Sequence, residues 1–167
     1  MIVDVLKAFA IGICASAPLG PAAILVLQKS LSYGHRAGFY TGLGATTIDT
    51  TYATLSIFAL AWTQDFINTY EYTIYLIGGL IVALLGAAMA FKDPFRKLKN
   101  GNPSRGASIK DYAEAVLTAL SNPGAAFVMF ALFAFFGIQL EPNDFRVAPI
   151  LISLSGGSAL YWFVFSW

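Results

Sequence analysis

An all-α, polytopic transmembrane helical bundle is the fold class this sequence predicts, and three observations predict it. Hydrophobic residues fill 57% of the 167 positions and charged residues only 11%, whereas a soluble domain needs about 25% charged residues to face water. The apolar residues fall in stretches long enough to cross a bilayer, which takes roughly 20 of them in helical form. The charges cluster between those stretches, Lys92 to Asp111 alone holding eight of the nineteen. A net charge of +1 gives no electrostatic case for nucleic acid as a partner. With one cysteine, Cys14, and one histidine, His35, the chain has no internal disulfide, no multi-cysteine redox centre and no histidine-based metal cluster. No cofactor or metal is expected, and a membrane enzyme or electron carrier lacks its chemistry.

Five spans are predicted, over residues 3–27, 37–62, 72–91, 113–138 and 147–167. Turn formers and charges separate them: Tyr33-Gly34-His35-Arg36, the Asp93-Pro94 step, Asn100-Gly101-Asn102-Pro103, and Glu141-Pro142-Asn143-Asp144. The first span is too long for an ordinary signal-peptide core and opens with Asp4 beside Lys7, which argues against cleavage.

Orientation follows from lysine and arginine in the loops. The first loop carries Lys29 and Arg36 with no acid, and the second carries Asp65 and Glu71 with no base. The third carries Lys92, Arg96, Lys97, Lys99, Arg105 and Lys110, and the fourth sets Glu141 and Asp144 against Arg146. Loops 29–36 and 92–112 are therefore expected in the cytoplasm and the N-terminus outside. Aromatic residues such as Trp62, Tyr70, Tyr72 and Phe91 lie near span ends, where their rings favour the interface.

Span one is interrupted by Ala15-Ser16-Ala17-Pro18-Leu19-Gly20-Pro21-Ala22. Each proline lacks an N–H and clashes with the carbonyl four residues back, at Cys14 and Ala17. A kink is one reading. A helix broken where it lines a cavity is the other, because freed carbonyls in lipid need protein or water partners. Span four has a matching interruption at Ser121-Asn122-Pro123-Gly124. There Asn122 either caps the break or faces a solute. Paired breaks in corresponding helices of two halves point to a transporter's binding site, and three helices per half would make the halves inverted.

Span two holds Asp49, the one ionisable side chain near the middle of any span. An acid there costs about 2.5–3.5 kcal/mol on insertion. It reads as a proton carrier, as a counter-charge for an amino group, or as a structural carboxyl satisfied by hydroxyls. Thr46 and Tyr52 lie three residues to either side on one helical face and are the expected hydrogen-bond partners. Gly38 and Gly42 read as a close-packing pair, and Glu114 as an acid at a helix start.

At these positions the sequence resembles the lysine exporter (LysE/RhtB) translocator family. The likeness is carried by Pro18-Leu-Gly20-Pro21, by the turn Gly34-His-Arg36-Ala-Gly38, and by Gly42, Gly44 and Asp49. Leu120-Ser-Asn122-Pro123 and Gly156-Gly157 with Trp162 complete it. The resemblance implies a secondary transporter of the bacterial inner membrane that exports amino acids or related small solutes, driven by an ion gradient. It implies six helices in two inverted three-helix repeats, with Pro18, Gly20, Pro21, Thr46, Asp49, Asn122 and Pro123 as central substrate- or ion-binding candidates. Residues 1–167 would form one transporter domain, 1–92 the first repeat and 113–167 an incomplete second. Five of the six helices are found before Trp167. The partners expected are therefore the lipid bilayer, a small-molecule substrate, and a second copy or another chain supplying the missing helix. A non-transporting scaffold subunit, or an inactive truncated paralogue, is the alternative reading.

Overall fold

The computed structural model describes residues 1–17, 20–62, 76, 80, 108–138, 140–141 and 143–167. Pro18 and most of both the expected third span and the basic loop after it lie outside the described residues. Among those described, the chain is all helical: α1 (Ile2–Ser16), α2 (Pro21–Tyr33), α3 (His35–Trp62), α4 (Ile109–Leu120), α5 (Pro123–Phe135) and α6 (Val147–Phe165). The first and fourth expected spans are thus each two helices. The members of these pairs diverge by 76° for α1 and α2 and by 75° for α4 and α5.

Local chemistry explains each boundary. Gly20, extended at φ −84° and ψ −175°, precedes Pro21 at the first position of α2, where a missing N–H costs nothing. The helix stops at Gly34, whose φ of 85° suits a residue without a Cβ. A capping box starts α4: Ser108 Oγ accepts from the Lys110 amide at 3.2 Å, and Asp111 accepts from the Ser108 amide at 3.0 Å. Pro123 opens α5 behind Asn122, as Pro21 opens α2 behind Gly20.

By length and composition α6 alone qualifies as a membrane span among the described residues, and each bent pair qualifies if counted as one. With 28 residues, α3 reaches roughly 42 Å at 1.5 Å per residue and is long enough. Its threonines and Asp49 make it more polar than the predicted apolar span. Those hydroxyls turn inward on the helix itself: Thr41, Thr46, Thr47, Thr50, Thr51 and Thr54 each donate to the carbonyl four residues back, at 2.8–3.1 Å. Self-satisfaction of this kind lets a polar helix sit among apolar ones.

Helix α1 packs along α6 with almost no space between backbones. A Cβ at Gly12 would overlap the Leu154 carbonyl, and one at Gly157 would overlap the Phe9 carbonyl. Gly42 meets the Trp162 side chain and Gly38 meets Ser30, so this glycine pair does permit close approach. The main core joins α1, α3, α5 and α6 through Ile11, Ala53, Phe133 and Leu154.

Polar ties mark the two ends of the bundle. At one end, Lys7 Nζ donates to the Phe136 carbonyl at the close of α5, 2.8 Å away, and Arg146 pairs with Asp144 at 2.6 Å and Asp4 at 3.4 Å. The Arg146 guanidinium holds the Asp144 carboxyl below the usual carboxylate range. At the other end, Lys29 of α2 lies between Asp111 at 2.7 Å and Glu114 at 2.8 Å, both on α4. Ser166 Oγ meets His35 Nδ1 there at 2.9 Å. Glu114 is therefore an ion-pair partner as well as an acid near a helix start.

Candidate functional site

Asp49 stands midway along α3, half-buried, between these two polar ends. Its Oδ2 accepts from Ser158 Oγ at 3.0 Å and from Ser16 Oγ at 3.2 Å. Those two hydroxyls also touch each other at 2.9 Å, and Thr46 Oγ1 lies 3.0 Å from Ser158 Oγ. Ser158 is fully buried, and Ser16 and Thr46 nearly so. Three helices therefore converge on one carboxylate oxygen: α1 through its last residue, α3 through Asp49 and Thr46, and α6 through Ser158. Among the described residues no hydrogen bond reaches Asp49 Oδ1.

The backbone contacts described above bring the serines this close. Gly12 lets α1 settle onto α6 beside Leu154 and Ser158, one turn before Ser16. A β-carbon there would push Ser16 and Ser158 apart. Ser16 sits at the helix end because Pro18 and Pro21 forbid continuation. Its Oγ also lies 3.0 Å from the Gly12 carbonyl, so the hydroxyl proton has a choice between backbone and carboxylate. Two hydroxyls thus touch the carboxylate oxygen and the third reaches it through Ser158.

The partners expected for Asp49 on its own helix are not its direct donors. Thr46 Oγ1 lies 3.1 Å from the Gly42 carbonyl, back toward the preceding turn, and reaches the carboxylate only by way of Ser158. Tyr52 carries its hydroxyl to the Leu120 carbonyl, 3.5 Å away. Ser16 and Ser158 are the donors instead, contributed from 33 and 109 residues away. Their only advance signal is a serine beside each break or glycine pair in otherwise apolar sequence.

The breaks differ in how they meet the acid. Around the first, Ser16 bonds Asp49, and Tyr161 Oη donates at 3.4 Å to the Ala17 carbonyl, one of the two expected to be freed by proline. Gly20 and Pro21 supply the backbone start of α2, and Pro18 lies outside the described residues. At the second, Asn122 is the N-cap residue of α5 but makes no side-chain capping bond. Its amide nitrogen donates to the Ala119 carbonyl and its carbonyl accepts from Ala125, both at 3.1 Å. Asn122 and Pro123 are not joined to Asp49 by any hydrogen bond; the nearest link is Tyr52, one turn beyond the acid. Among the described residues no three His, Cys, Asp or Glu side chains gather as a metal would require.

Asp49 is thus a half-buried carboxyl held by two hydroxyls beside the first break, an arrangement able to take up a proton or to pair with a cation. A family model described as LysE type translocator matches residues 13–166. No curated protein and no solved structure matches the chain.

Proposed function

The chain belongs to the LysE type translocator family, and from that premise we propose that it exports amino acids or related small solutes from bacteria by ion-coupled alternating access. Membership makes it an integral membrane transporter of efflux type. The finer reading rests chiefly on one observation: Asp49 is held by Ser16, at the broken end of α1, and by Ser158 of α6. A proton arriving on the carboxyl, or an ammonium replacing it, would alter all three helices at once.

In this reading Asp49 carries the coupling proton or pairs with a substrate amino group. The backbone at the two breaks, Gly20 and Pro21 at the first and Asn122 and Pro123 at the second, with Pro18, is the stretch that would face the solute, its prolines contributing carbonyls but no N–H. Thr46 completes the hydroxyl set. The near-equal bends of 76° and 75° support two inverted three-helix repeats, 1–92 and an incomplete 113–167, with the breaks near the midplane. The loop charges support an N-terminus outside the inner membrane.

The test is efflux from vesicles holding the purified full chain. Asp49→Asn keeps the shape but removes the titration and the charge. It is expected to insert normally and to lose export by at least a hundredfold. Undiminished export by that variant removes Asp49 from the mechanism.

A further inference from the structure

One indole donor inside the bundle has nothing to bond. Trp162 of α6 is 2% exposed, yet its Nε1–H has no hydrogen-bond partner among the described residues. Leaving a buried donor unpaired is costly, and a buried indole usually finds an acceptor. The side chain packs with Ala22 and Ala23 of α2, with Val26 one turn further on, and with Ala45 of α3. Gly42 leaves room for it, since a Cβ there would overlap the Trp162 Cβ. Packing accounts for the ring but not for the donor: a phenylalanine would fill similar space and leave no N–H unpaired.

Ala22 and Ala23 lie in the first turn of α2, a helix of 13 residues. First-turn amides have no acceptor within their own helix, and Gly20, the N-cap, has no side chain to cap them. The Gly20 carbonyl is itself engaged, accepting from the Ile24 amide at 3.1 Å. Such a helix start carries roughly half a positive charge and favours anions. The one cationic side chain of α2, Lys29, is held two turns away by Asp111 at 2.7 Å and Glu114 at 2.8 Å. What α2 offers here is therefore N–H groups and a dipole, without a full positive charge. That suits a singly charged carboxylate better than a phosphate dianion.

We infer that the Trp162 indole and the first turn of α2 form a carboxylate site, in which the carboxylate of the exported solute accepts from Nε1 and from the Ala22 and Ala23 amides. The way in is the break itself: Ala17 and Pro21 are exposed, and Gly20 and Ala22 half-buried. The site stands about one helical turn from the acid. On α6, Trp162 follows Ser158 by one turn; on α3, Gly42, against the indole, precedes Thr46 by one turn. Ser158 and Thr46 both belong to the Asp49 cluster. A turn rises about 5.4 Å, short enough for one amino acid to set its ammonium at Asp49 and its carboxylate at α2. Trp162 is then a specificity residue. This assignment deepens the transport reading and rests on it.

The experiment uses the full chain in vesicles of phosphatidylethanolamine and phosphatidylglycerol, preloaded in turn with labelled L-lysine, L-leucine and L-threonine. The amides of the same amino acids, which keep the ammonium and lose the carboxylate, serve as competitors. In the parent each amide should compete about tenfold more weakly than its own acid. Trp162→Phe keeps a ring and removes the N–H. It should raise the half-saturating concentration of the acid about tenfold and leave the amide unchanged, as expected for a lost bond to a charged acceptor. A variant within about twofold of the parent, or one that weakens acid and amide alike, overturns the carboxylate site and leaves the transport reading intact. Should the variant fail to insert, a second measurement decides. With Trp62→Phe and Trp167→Phe, the isotope-labelled chain shows a single indole N–H resonance, expected to shift with the transported amino acid and not with its amide. A resonance unmoved by both, or moved equally by both, overturns the site. No movement of any of the three amino acids through the parent overturns the transport reading, and the carboxylate site with it.

Discussion

The two helix breaks are built from the same local chemistry yet connected to the rest of the protein in different ways. Both place a proline at the first position of the following helix, and both turn the chain by about the same angle, 76° and 75°. At the first, the last hydroxyl before the turn bonds Asp49 directly. At the second, the residue before the proline, Asn122, makes only backbone bonds among the described residues, and the hydrogen bond to α3 is the long one from Tyr52 to Leu120. The geometry of a break is thus set by proline, and its connection to the acid by which polar side chain happens to precede it. One break is joined to the ionisable group by a side chain; among the described residues the other is not.

Gly12→Val should have the largest effect, because its Cβ would displace the Leu154 carbonyl and pry α1 off α6. Overpacking of this kind costs about 1–3 kcal/mol and sometimes more. The expected result is a clear fall in the midpoint of thermal unfolding followed by gel filtration, with export lost even below that midpoint. A variant as stable and active as the parent would mean that the first break is not held by α6.

Ser16→Ala comes next. It removes one of two donors to Asp49 and leaves the fold's apolar contacts in place. Export is expected to drop about tenfold, as for a hydrogen bond to a charged group. The smallest effect belongs to Asn122→Ala, which forfeits no side-chain hydrogen bond among the described residues. Its export should stay within about twofold. If Asn122→Ala and Ser16→Ala cost the same, the asymmetry between the breaks is wrong and both contact the transported species.

Much of this arrangement was legible in the sequence. Apolar stretches located the described helices, Pro21 and Pro123 located both breaks, and Asp49 stood out as an acid within an apolar stretch; the predicted span over 72–91 lies almost wholly outside the described residues. The partners of Asp49 were not legible, for a physical reason. Residues three apart on a helix share a face, which nominated Thr46 and Tyr52, but a helical threonine can bond its own backbone at the preceding turn. Tyr52 is long enough to carry its hydroxyl past the acid. Ser16 and Ser158 come from α1 and α6, and their meeting depends on Gly12 and Gly157 allowing two backbones to touch. A glycine in a span announces that something comes close without saying what. The polarity of α3 was likewise concealed, since its threonines look unfavourable for lipid until their bonds to the backbone are drawn.

The ties at the two ends of the bundle carry one more consequence. Lys7 fastens α1 to the end of α5, and Lys29 fastens α2 to α4. The four half-helices are thereby coupled crosswise into two storeys, α1 with α5 and α2 with α4, and both breaks lie at the seam. Changing the bend of one pair alone would stretch one of those ties. In the structure the two breaks thus share one level, with one tied pair of half-helices on either side of it.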